Sequence, residues 1–414
     1  MEEAPLTGHT ATRKPDPRLV APSVLLDGLG FGLLFPIIPD LFRRLNAAPL
    51  DVDRYTGYFL AVYCVMQFIA APVLGSLSDR FGRRSILLLS ALGETIDYTV
   101  MALAQTVWLL FLGRVISGAT EAIMAVANSY AVDACDDDDS RSAAFGFNNA
   151  ALGIGFILGP ALGGLLGHFN PRLPLWASAV SQLANLIFVW FFLPESLPPE
   201  KRRSLHWKQL NPFVSLGRLT RYSAVFSLVV VFFLLTLAEQ SNTILTLFTQ
   251  YRFHFTTLDV GLLLSFFGVS IAVSQGLLTG VVVARLGEAK TTRLGIGLYV
   301  VAFCGMAFVP SSWMFYLATV PLCLGGLGVT ALRSVISKSV APEAQGELQG
   351  SIASVMAVDN IVAPLLYTTL FARLTTVAEG QTALPGIAYL VAAAISAVTL
   401  AYMLLRSEPA PVEL

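Results

Sequence analysis

The sequence predicts an all-α membrane protein in which twelve spanning helices form two pseudo-symmetric bundles of six. Three observations lead to this fold. Of the 414 residues, 55% are hydrophobic and 13% are charged, whereas a soluble domain is usually about 25% charged. Apolar stretches of about 20 residues, the length that crosses a bilayer, recur along the whole chain. The two halves of the chain also repeat each other in sequence.

Twelve apolar segments have the length of a spanning helix, and polar stretches separate them. The predicted segments are residues 20–42, 56–78, 85–105, 108–131, 143–167, 174–194, 223–249, 257–284, 290–309, 313–336, 347–372 and 383–405.

The longest polar stretch runs from Pro194 to Arg221, between the sixth and seventh segments, and is rich in Lys and Arg. We expect a linker of this kind between two six-helix bundles. The chain is then divided into a tail (1–19), an N-terminal bundle (20–194), a linker (195–222), a C-terminal bundle (223–406) and a second tail (407–414).

A dense island of charge, Gly75–Arg84, lies between the second and third segments. Four charges within six positions do not lie in lipid, so this stretch forms a tight turn at the membrane surface, here called the charged turn.

Most of the 26 Lys and Arg residues fall in tails and loops on the same side as this turn. The positive-inside rule therefore predicts that both termini and the charged turn are cytoplasmic. The polar first 19 residues indicate a cytoplasmic tail and not a signal peptide.

An internal repeat relates the two halves. The residues that recur are Gly75, Arg80 and Gly82 as Gly280, Arg285 and Gly287, Trp108 as Trp313, and Gly146 and Pro160 as Gly350 and Pro364. The offset spans six helices, an even number, so the halves are parallel repeats. Such repeats place a substrate site at their interface near the membrane midplane. Asp79 has no acidic counterpart, because Ala284 occupies its position in the second half.

Ionisable residues inside the spanning segments are costly unless they are paired or face water. The acids are Asp27, Glu94, Asp97, Glu121, Glu239 and Asp359, and the bases are Arg114 and Arg333. Desolvation favours the neutral form of a carboxyl, as a proton-coupled carrier requires. The proton-coupling candidates are therefore Asp27, Asp97, Arg114, Glu121, Glu239 and Asp359. Each acid also has a structural explanation: its carboxyl is satisfied by a partner, or it lies near the membrane–water interface. For Asp27 this explanation and a role in proton coupling carry equal weight.

The spacing of seven between Arg114, Glu121 and Asn128 puts these residues on one face of a continuous fourth helix. We expect Arg114 and Glu121 to belong to a central polar network. The amides that are candidates to line a substrate cavity are Gln67, Gln240, Asn242, Gln275 and Asn360. Amides also join helices by hydrogen bonds, and for each one alone that packing role is preferred.

The fifth segment presents small residues every four positions, at Gly155, Gly159 and Gly163, with Pro160 inside that face. Small residues let two helices approach closely in lipid, and the proline removes a backbone hydrogen bond. Ordinary tight packing explains this pattern, and a dedicated antiport role, which only a resemblance to known carriers implies, carries equal weight.

Several motifs resemble those of known carriers. The charged turn resembles the signature loop of the major facilitator superfamily. The motifs that resemble its twelve-helix drug:proton antiporters are Leu29–Gly30, Pro36–Pro39, Arg114–Gly118, Gly155, Gly159–Pro160 and Gly163–Gly164. Those that resemble the tetracycline-resistance branch are Met66–Phe68, Ala71–Gly75 and Thr95–Tyr98. Pro194–Pro198 is similar to the hippocampus-abundant-transcript-like relatives of that branch.

The resemblance implies proton-coupled antiport, in the direction of efflux, of a small organic molecule or drug by alternating access. It also implies that Asp79, Arg80, Arg83 and Asp133 form a charge cluster that latches the halves in the outward-facing state. We expect Arg83 to pair with Asp133, and Asp79 to lie near the start of the eleventh helix.

The chain departs from the tetracycline antiporters at two sites. Ile271 and Tyr299 replace the histidine of their eighth helix and the aspartate of their ninth. Conversely, Glu121, Glu239 and Asp359 stand where those antiporters usually carry uncharged residues. These departures leave the identity of the substrate open.

The expected partners are a small-molecule substrate, protons and the lipid bilayer, and the expected oligomeric state is a monomer. The proton gradient is the only expected energy source, with no cofactor or metal. A net charge of −1 gives no support for nucleic-acid binding, and no catalytic motif indicates an enzyme. Two alternatives remain open: an uptake carrier or facilitator for a sugar-like or other metabolite, and a non-transporting receptor or folding partner with a carrier fold.

Overall fold

The computed structural model of the chain describes residues 15–203, 223–340, 345–375 and 384–405. Within these ranges, twelve helices are long and apolar enough to cross a membrane. They are α1 (Pro17–Arg44), α2 (Pro49–Phe81), α3 (Arg83–Leu103), α4 (Val107–Ala134), α5 (Asp138–Phe169), α6 (Leu173–Phe192), α7 (Phe226–Phe253), α8 (Thr257–Leu286), α9 (Glu288–Phe308), α10 (Ser312–Lys338), α11 (Leu348–Thr375) and α12 (Ile387–Leu405).

Each predicted segment corresponds to one of these helices, and the predicted all-α fold is confirmed. Most of the predicted tail 1–19, linker 195–222 and tail 407–414 lies outside the described residues. The helix ends differ most in α2, which begins at Pro49 instead of residue 56. Its first turns carry Asp51, Asp53 and Arg54. Hydropathy assigns such charged residues to a loop, but an α-helix can continue beyond the hydrocarbon core of the membrane.

Four of the described helices are irregular within their length, where the sequence predicts continuous segments. In α1 the chain tightens to a 3₁₀-helix over Phe35–Ile37. In α4 the α-helix stops at Thr120 and resumes at Ile123. In α7 the chain tightens to a 3₁₀-helix over Gln240–Ile244, and in α8 it widens to a π-helix over Ser274–Leu278. Such irregular backbone is tolerated at membrane depth where it is buried in protein or lines a cavity.

The acidic loop before α5 has a local role. The Asp137 carboxyl accepts a hydrogen bond from the Ser140 backbone N–H at 2.7 Å and so caps the start of α5. Hydrogen bonds from the backbone and side chain of Ser140 lower the pKa of Asp137, because they stabilise the ionised form of its carboxyl.

The small-residue face of α5 makes the close helix contact that its spacing predicts, and the partner is α1. A Cβ atom added to Gly159 would lie 2.7 Å from the Gly32 Cα, and one added to Gly155 would lie 2.6 Å from the Leu29 nitrogen. Pro160 lies against Gly32 within the same contact. The two backbones therefore touch where any larger side chain would separate them.

The first six and last six helices are in close contact at the end of the molecule remote from the charged turn, here called the opposite face. In α5, a Cβ atom on Gly164 would lie 2.9 Å from the Gly261 Cα of α8. In α2, a Cβ atom on Gly57 would lie 2.9 Å from the Pro364 carbonyl oxygen of α11.

Two hydrogen bonds join the same halves at the opposite face. Arg43 donates from Nη1 to Gln250 Oε1 at 2.7 Å, and Thr257 donates from Oγ1 to Asp40 Oδ2 at 2.8 Å. Arg43 and Asp40 also form an ion pair within α1. Together with the glycine contacts, these bonds close the molecule at this end.

The end that carries the charged turn is open. Four helical glycines toward that end have no atom of a neighbouring element within 4 Å of where a Cβ would stand, namely Gly75, Gly146, Gly276 and Gly280. The two sets of helices therefore separate toward the charged turn, and the central space opens at that face.

The charged turn is held by a glycine and a carboxylate. Gly82 has φ +100° and ψ 155°, a backbone conformation that is essentially restricted to glycine. The Glu195 carboxylate accepts hydrogen bonds from the backbone N–H groups of Arg83 at 2.8 Å and Arg84 at 3.3 Å. It thus caps the start of α3, and a side chain at residue 82 would collide with it.

We expect Gly82→Ala to be more damaging than Gly287→Ala, the matched change in the repeat. Both substitutions place alanine at a positive φ, which costs ~1–3 kcal/mol. Gly287 has open space beside it, so only the change at Gly82 also displaces Glu195. The comparison requires the thermal midpoint and the folded yield of each purified variant. Equal losses would contradict the role given to Glu195.

Candidate functional site

Three neighbouring cavities lie in the middle of the molecule, one between the two halves and one within each half. The central cavity, about 680 Å³, is lined by α2, α4 and α11. The α7 cavity, about 310 Å³, lies between α7, α8 and α11 and shares Met356 and Asn360 with it. The α2–α4 cavity, about 160 Å³, extends from Glu121 to Asp79 and Arg83 in the charged turn.

The linings of the central and α7 cavities are apolar with a few acidic and amide groups. Glu121 lines the central cavity, and Glu239 and Asp359 line the α7 cavity. None of the described residues that line either cavity is Lys, Arg or His. Of the amide candidates, the structure places four at these cavities: Gln67, Gln240, Asn242 and Asn360.

Gln275, the fifth amide candidate, lies apart from these cavities. It stands in the π-helical part of α8, is exposed, and its Nε2 lies against Gly326 of α10. An ideal α-helix does not contain the extra residue of a π-turn, so the sequence pattern misjudges the direction of this side chain.

A carboxyl cluster lies among α1, α3 and α4, with Asp27 half-buried and Glu94 and Glu121 buried. One oxygen each from Asp27, Glu94 and Glu121 lies within 4.8 Å of the other two. Glu94 is 4% exposed and Glu121 is 7% exposed, and the Oε2 atom of each has no hydrogen-bond partner among the described residues. Three negative charges at this spacing repel one another strongly. The cluster therefore has the geometry to hold protons or a cation.

Glu121 reaches the cluster because α4 is broken beside it. Its Oε1 accepts a hydrogen bond at 3.0 Å from the N–H of Ile123, the first residue of the second part of α4. Glu121 also lines both the central and the α2–α4 cavities. It connects the carboxyl cluster to the open space between the halves.

Arg114 pairs with Asp97 of α3, and Glu121 lies instead with Asp27 and Glu94. The predicted continuous fourth helix is wrong at residues 121–122, where the break changes the helical phase. The buried charged groups of α4 therefore belong to two separate sets, the Arg114–Asp97 ion pair and the carboxyl cluster.

The Arg114–Asp97 ion pair is fully enclosed. Arg114 is 1% exposed and Asp97 is 0% exposed, and the guanidinium Nη2 donates to Asp97 Oδ2. The guanidinium carbon lies 5.2 Å from the ring centroid of Phe59 and 5.5 Å from those of Tyr63 and Tyr98. Aromatic faces at these distances attract a desolvated cation. The pair and its rings form a rigid support beside the cluster.

Polar groups in the α7 cavity surround the irregular part of α7. Glu239 precedes the 3₁₀ segment, and the Tyr299 hydroxyl of α9 lies against its carboxyl, without a hydrogen bond of good geometry. Thr236 donates a hydrogen bond to Asp359 Oδ2, and Gln240 donates one to Asn360. Tyr299 is the residue at which the sequence departs from the aspartate of tetracycline antiporters.

The charge cluster at the charged turn contains the predicted pair. Arg83 donates from Nε to Asp133 Oδ2 and from Nη1 to Asp79 Oδ1, at 2.7 and 2.6 Å. The pairing of Arg83 with Asp133 is confirmed. The Arg80 guanidinium lies over the Phe81 ring at 5.2 Å. Residues 341–344, which lead into α11, are outside the described residues, so the expected approach of Asp79 to that helix stays a prediction.

Sequence reasoning did not select several residues of this region. Glu94 is one of the membrane acids in the sequence but not one of the proton-coupling candidates. It lies one turn before Asp97 on α3. The aromatic cage and the hydroxyl partners were also missed, namely Phe59, Tyr63, Tyr98, Thr236 and Tyr299. The sequence gives only a weak signal for these residues, because Phe, Tyr and Thr are frequent in apolar helices. Only tertiary contacts distinguish the ones at the site from the others.

Within the described residues, twelve helices of membrane-spanning length surround the central cavity, an arrangement typical of membrane transporters. The sequence profile of the Major Facilitator Superfamily matches residues 20–364 and 241–413. The tetracycline resistance protein, class C, of Escherichia coli is 37% identical over 89% of this chain and 93% of its own length. The class D protein of Salmonella ordonez is 36% identical over 94% of this chain and 96% of its own length.

Solved structures show the same fold. The crystal structure of the nucleoside transporter NupG has a TM-score of 0.77 at 16% identity, and the match covers 95% of this chain and 100% of that one. The chain belongs to the Major Facilitator Superfamily and, within it, to the branch of the tetracycline resistance proteins, as its motifs predict. It is accordingly a secondary active transporter and not an enzyme.

Proposed function

We propose that this transporter exports a small organic molecule from the cytoplasm in exchange for protons, as a monomer with both termini and the charged turn in the cytoplasm. The observation that carries the proposal is the carboxyl cluster of Asp27, Glu94 and Glu121. None of the three forms an ion pair with any other described residue. The names of the relatives, which state resistance to tetracycline, support export as the direction.

The cluster acts as the proton site because it is buried and yet reaches water through one of its members. Glu121 lines the α2–α4 cavity, which extends to the charged turn. In the present conformation a proton on the cluster leaves toward that face. When the halves close there and open at the opposite face, the cluster takes up a proton from the other side.

The ion pair has a positioning role. Asp97 and Glu94 lie one helical turn apart on α3, and Arg114 holds Asp97 within the aromatic cage. A fixed α3 keeps the Glu94 carboxyl within reach of Asp27 and Glu121. Asp97 itself is balanced by Arg114, so we assign the exchangeable proton to the cluster.

Alternating access requires each face to close in turn, and the two ends of the molecule carry matching devices. At the opposite face, Asp40 and Arg43 bind Thr257 and Gln250 of the second half. At the charged-turn face, Asp79 is held by Arg83 while the halves are apart. We propose that Asp79 turns to the start of α11 when this face closes, where the helix N-terminus favours an anion.

The test measures proton movement in inside-out membrane vesicles that contain the protein. Respiration acidifies the vesicle interior, and a fluorescent amine dye reports the pH gradient. A panel of cationic, neutral and anionic compounds, tetracycline included, is added in turn. We expect at least one compound to dissipate part of the gradient in vesicles with the transporter and none in vesicles without it.

The alternatives predict different outcomes of this experiment. Compounds that cross only with the transporter present, at a rate independent of the gradient, would establish a facilitator in place of an antiporter. Dissipation that persists when all three cluster acids are replaced by amides would move the proton site elsewhere. Movement driven by Na⁺ or Mg²⁺ without a pH gradient would show that the cluster binds a metal cation.

A further inference from the structure

We propose that the α7 cavity binds the protonated amine of an amphiphilic organic cation, with Asp359 and Glu239 as its carboxylate acceptors and the central cavity holding its apolar body. The inference rests on the proposed function, since it names the substrate class of the same transporter. It assigns the substrate to the second half of the chain and leaves the carboxyl cluster of the first half to protons.

The first argument is that this cavity presents unused hydrogen-bond acceptors. Asp359 is 1% exposed, and Thr236 donates to its Oδ2 while its Oδ1 has no partner among the described residues. Asn242 Oδ1 in the same lining also has no described partner. A buried acceptor without a donor is costly. An ammonium group carries three donors and no acceptor, which is the complement of this lining.

The second argument is charge. The α7 cavity contains two carboxyl groups, Glu239 and Asp359, and no basic side chain among its described lining residues. Low-dielectric walls strengthen the field of such groups. An anionic ligand would be repelled by these groups. A cation is the ligand whose charge favours the ionised form of a buried carboxyl.

The third argument is shape. The α7 cavity adjoins the larger central cavity, since Met356 and Asn360 line both. Beyond this junction the lining is mostly apolar and includes Phe68 and Met124. Methionine side chains adapt to ligands of different outline, and cavities of several hundred Å³ suit drug-sized molecules. The ligand class is thus a charged amine joined to an apolar body.

The irregular part of α7 explains how the site is built. The 3₁₀ segment begins directly after Glu239, so Glu239, Gln240 and Asn242 all reach the cavity. Side chains three positions apart point about 60° apart in a regular α-helix, whereas they eclipse in a 3₁₀-helix. The change of helix type therefore aligns Glu239 with Asn242 on one face.

The experiment measures binding of three matched probes to the purified full-length protein in detergent: naphthylmethylamine, its N-acetyl amide and naphthylacetic acid. Thermal shift and naphthyl fluorescence are the readouts. We expect the amine alone to bind. Asp359→Asn should weaken its binding by about tenfold or more, and Asp136→Asn, at an exposed carboxyl before α5, should leave it unchanged.

The outcomes separate this inference from the proposed function. If only the amide or the acid binds, or if Asp359→Asn and Glu239→Gln both bind the amine as well as the wild type, the inference is overturned. Proton movement driven by a neutral or anionic compound would then leave the antiport proposal standing. Conversely, amine binding that depends on Asp359 in a protein that moves no protons would uphold the site and refute the antiport. The three-probe comparison on the wild type decides the ligand class even if a variant fails to fold.

Discussion

Replacing Glu121 by glutamine is expected to abolish proton-driven transport and to leave substrate exchange intact. Glutamine keeps the size of the side chain and an oxygen that accepts the Ile123 N–H bond, so the break in α4 is preserved. It removes the titratable group that connects the carboxyl cluster to the cavities. Exchange of labelled for unlabelled substrate across proteoliposomes needs conformational cycling alone, whereas accumulation against a gradient also needs coupling.

The control for this prediction is Asp136→Asn, which makes the same chemical change at an exposed carboxyl outside the spanning helices. It should retain both activities. A Glu121→Gln variant that still accumulates substrate at the wild-type level would refute the assignment of the cluster. Loss of exchange together with accumulation would show that Glu121 serves the conformational change or the binding of substrate.

Replacing Asp97 by asparagine is expected to destabilise the protein severely. The change leaves the Arg114 charge in a site that is 1% exposed and without its counter-charge. Breaking a buried pair by removing one partner costs ~3–5 kcal/mol. The aromatic rings around the guanidinium offset only part of that loss. The measurements are the folded yield and the thermal midpoint of the purified variant.

A double variant tests the cause. Asp97→Asn combined with Arg114→Gln removes both charges and should recover part of the stability that Asp97→Asn loses, because no uncompensated charge stays buried. If the two losses simply add, the pair contributes through packing and not through its charges. A single Asp97→Asn variant as stable as the wild type would contradict the enclosed ion pair.

The sequence predicts the number and order of the helices well because lipid imposes a simple requirement. Every spanning segment must satisfy its own backbone hydrogen bonds and present about 20 apolar residues. The approach of α5 to α1 is also foreseeable, since small residues at Gly155 and Gly159 serve it directly. Even the Arg83–Asp133 pair follows from loops that must meet at one membrane surface.

The composition of the candidate site is less predictable because it depends on departures from ideal helices. An uninterrupted α4 would place Glu121 on the face of Arg114, and the break at residues 121–122 sends it to Asp27 and Glu94 instead. The π-helical part of α8 likewise takes Gln275 away from the cavities. No periodic pattern in the sequence records such breaks, because the same residues are compatible with a regular helix.

The division of labour between acids also requires the structure. The sequence shows six membrane acids and does not show which of them meet. The structure separates them into Asp97, which pairs with Arg114, a carboxyl cluster of Asp27, Glu94 and Glu121, and two carboxyls at the α7 cavity, Glu239 and Asp359. Each set has different neighbours, and therefore each is given a different role.

The most direct test of the account is the reciprocal of proton-driven transport. Proteoliposomes are loaded with substrate and a pH-sensitive dye, at equal pH on both sides, and diluted into substrate-free buffer. We predict that outflow of substrate draws protons inward and acidifies the lumen, and that Glu121→Gln releases substrate without acidification. Substrate release by the wild-type protein with no change in luminal pH would contradict proton-coupled antiport.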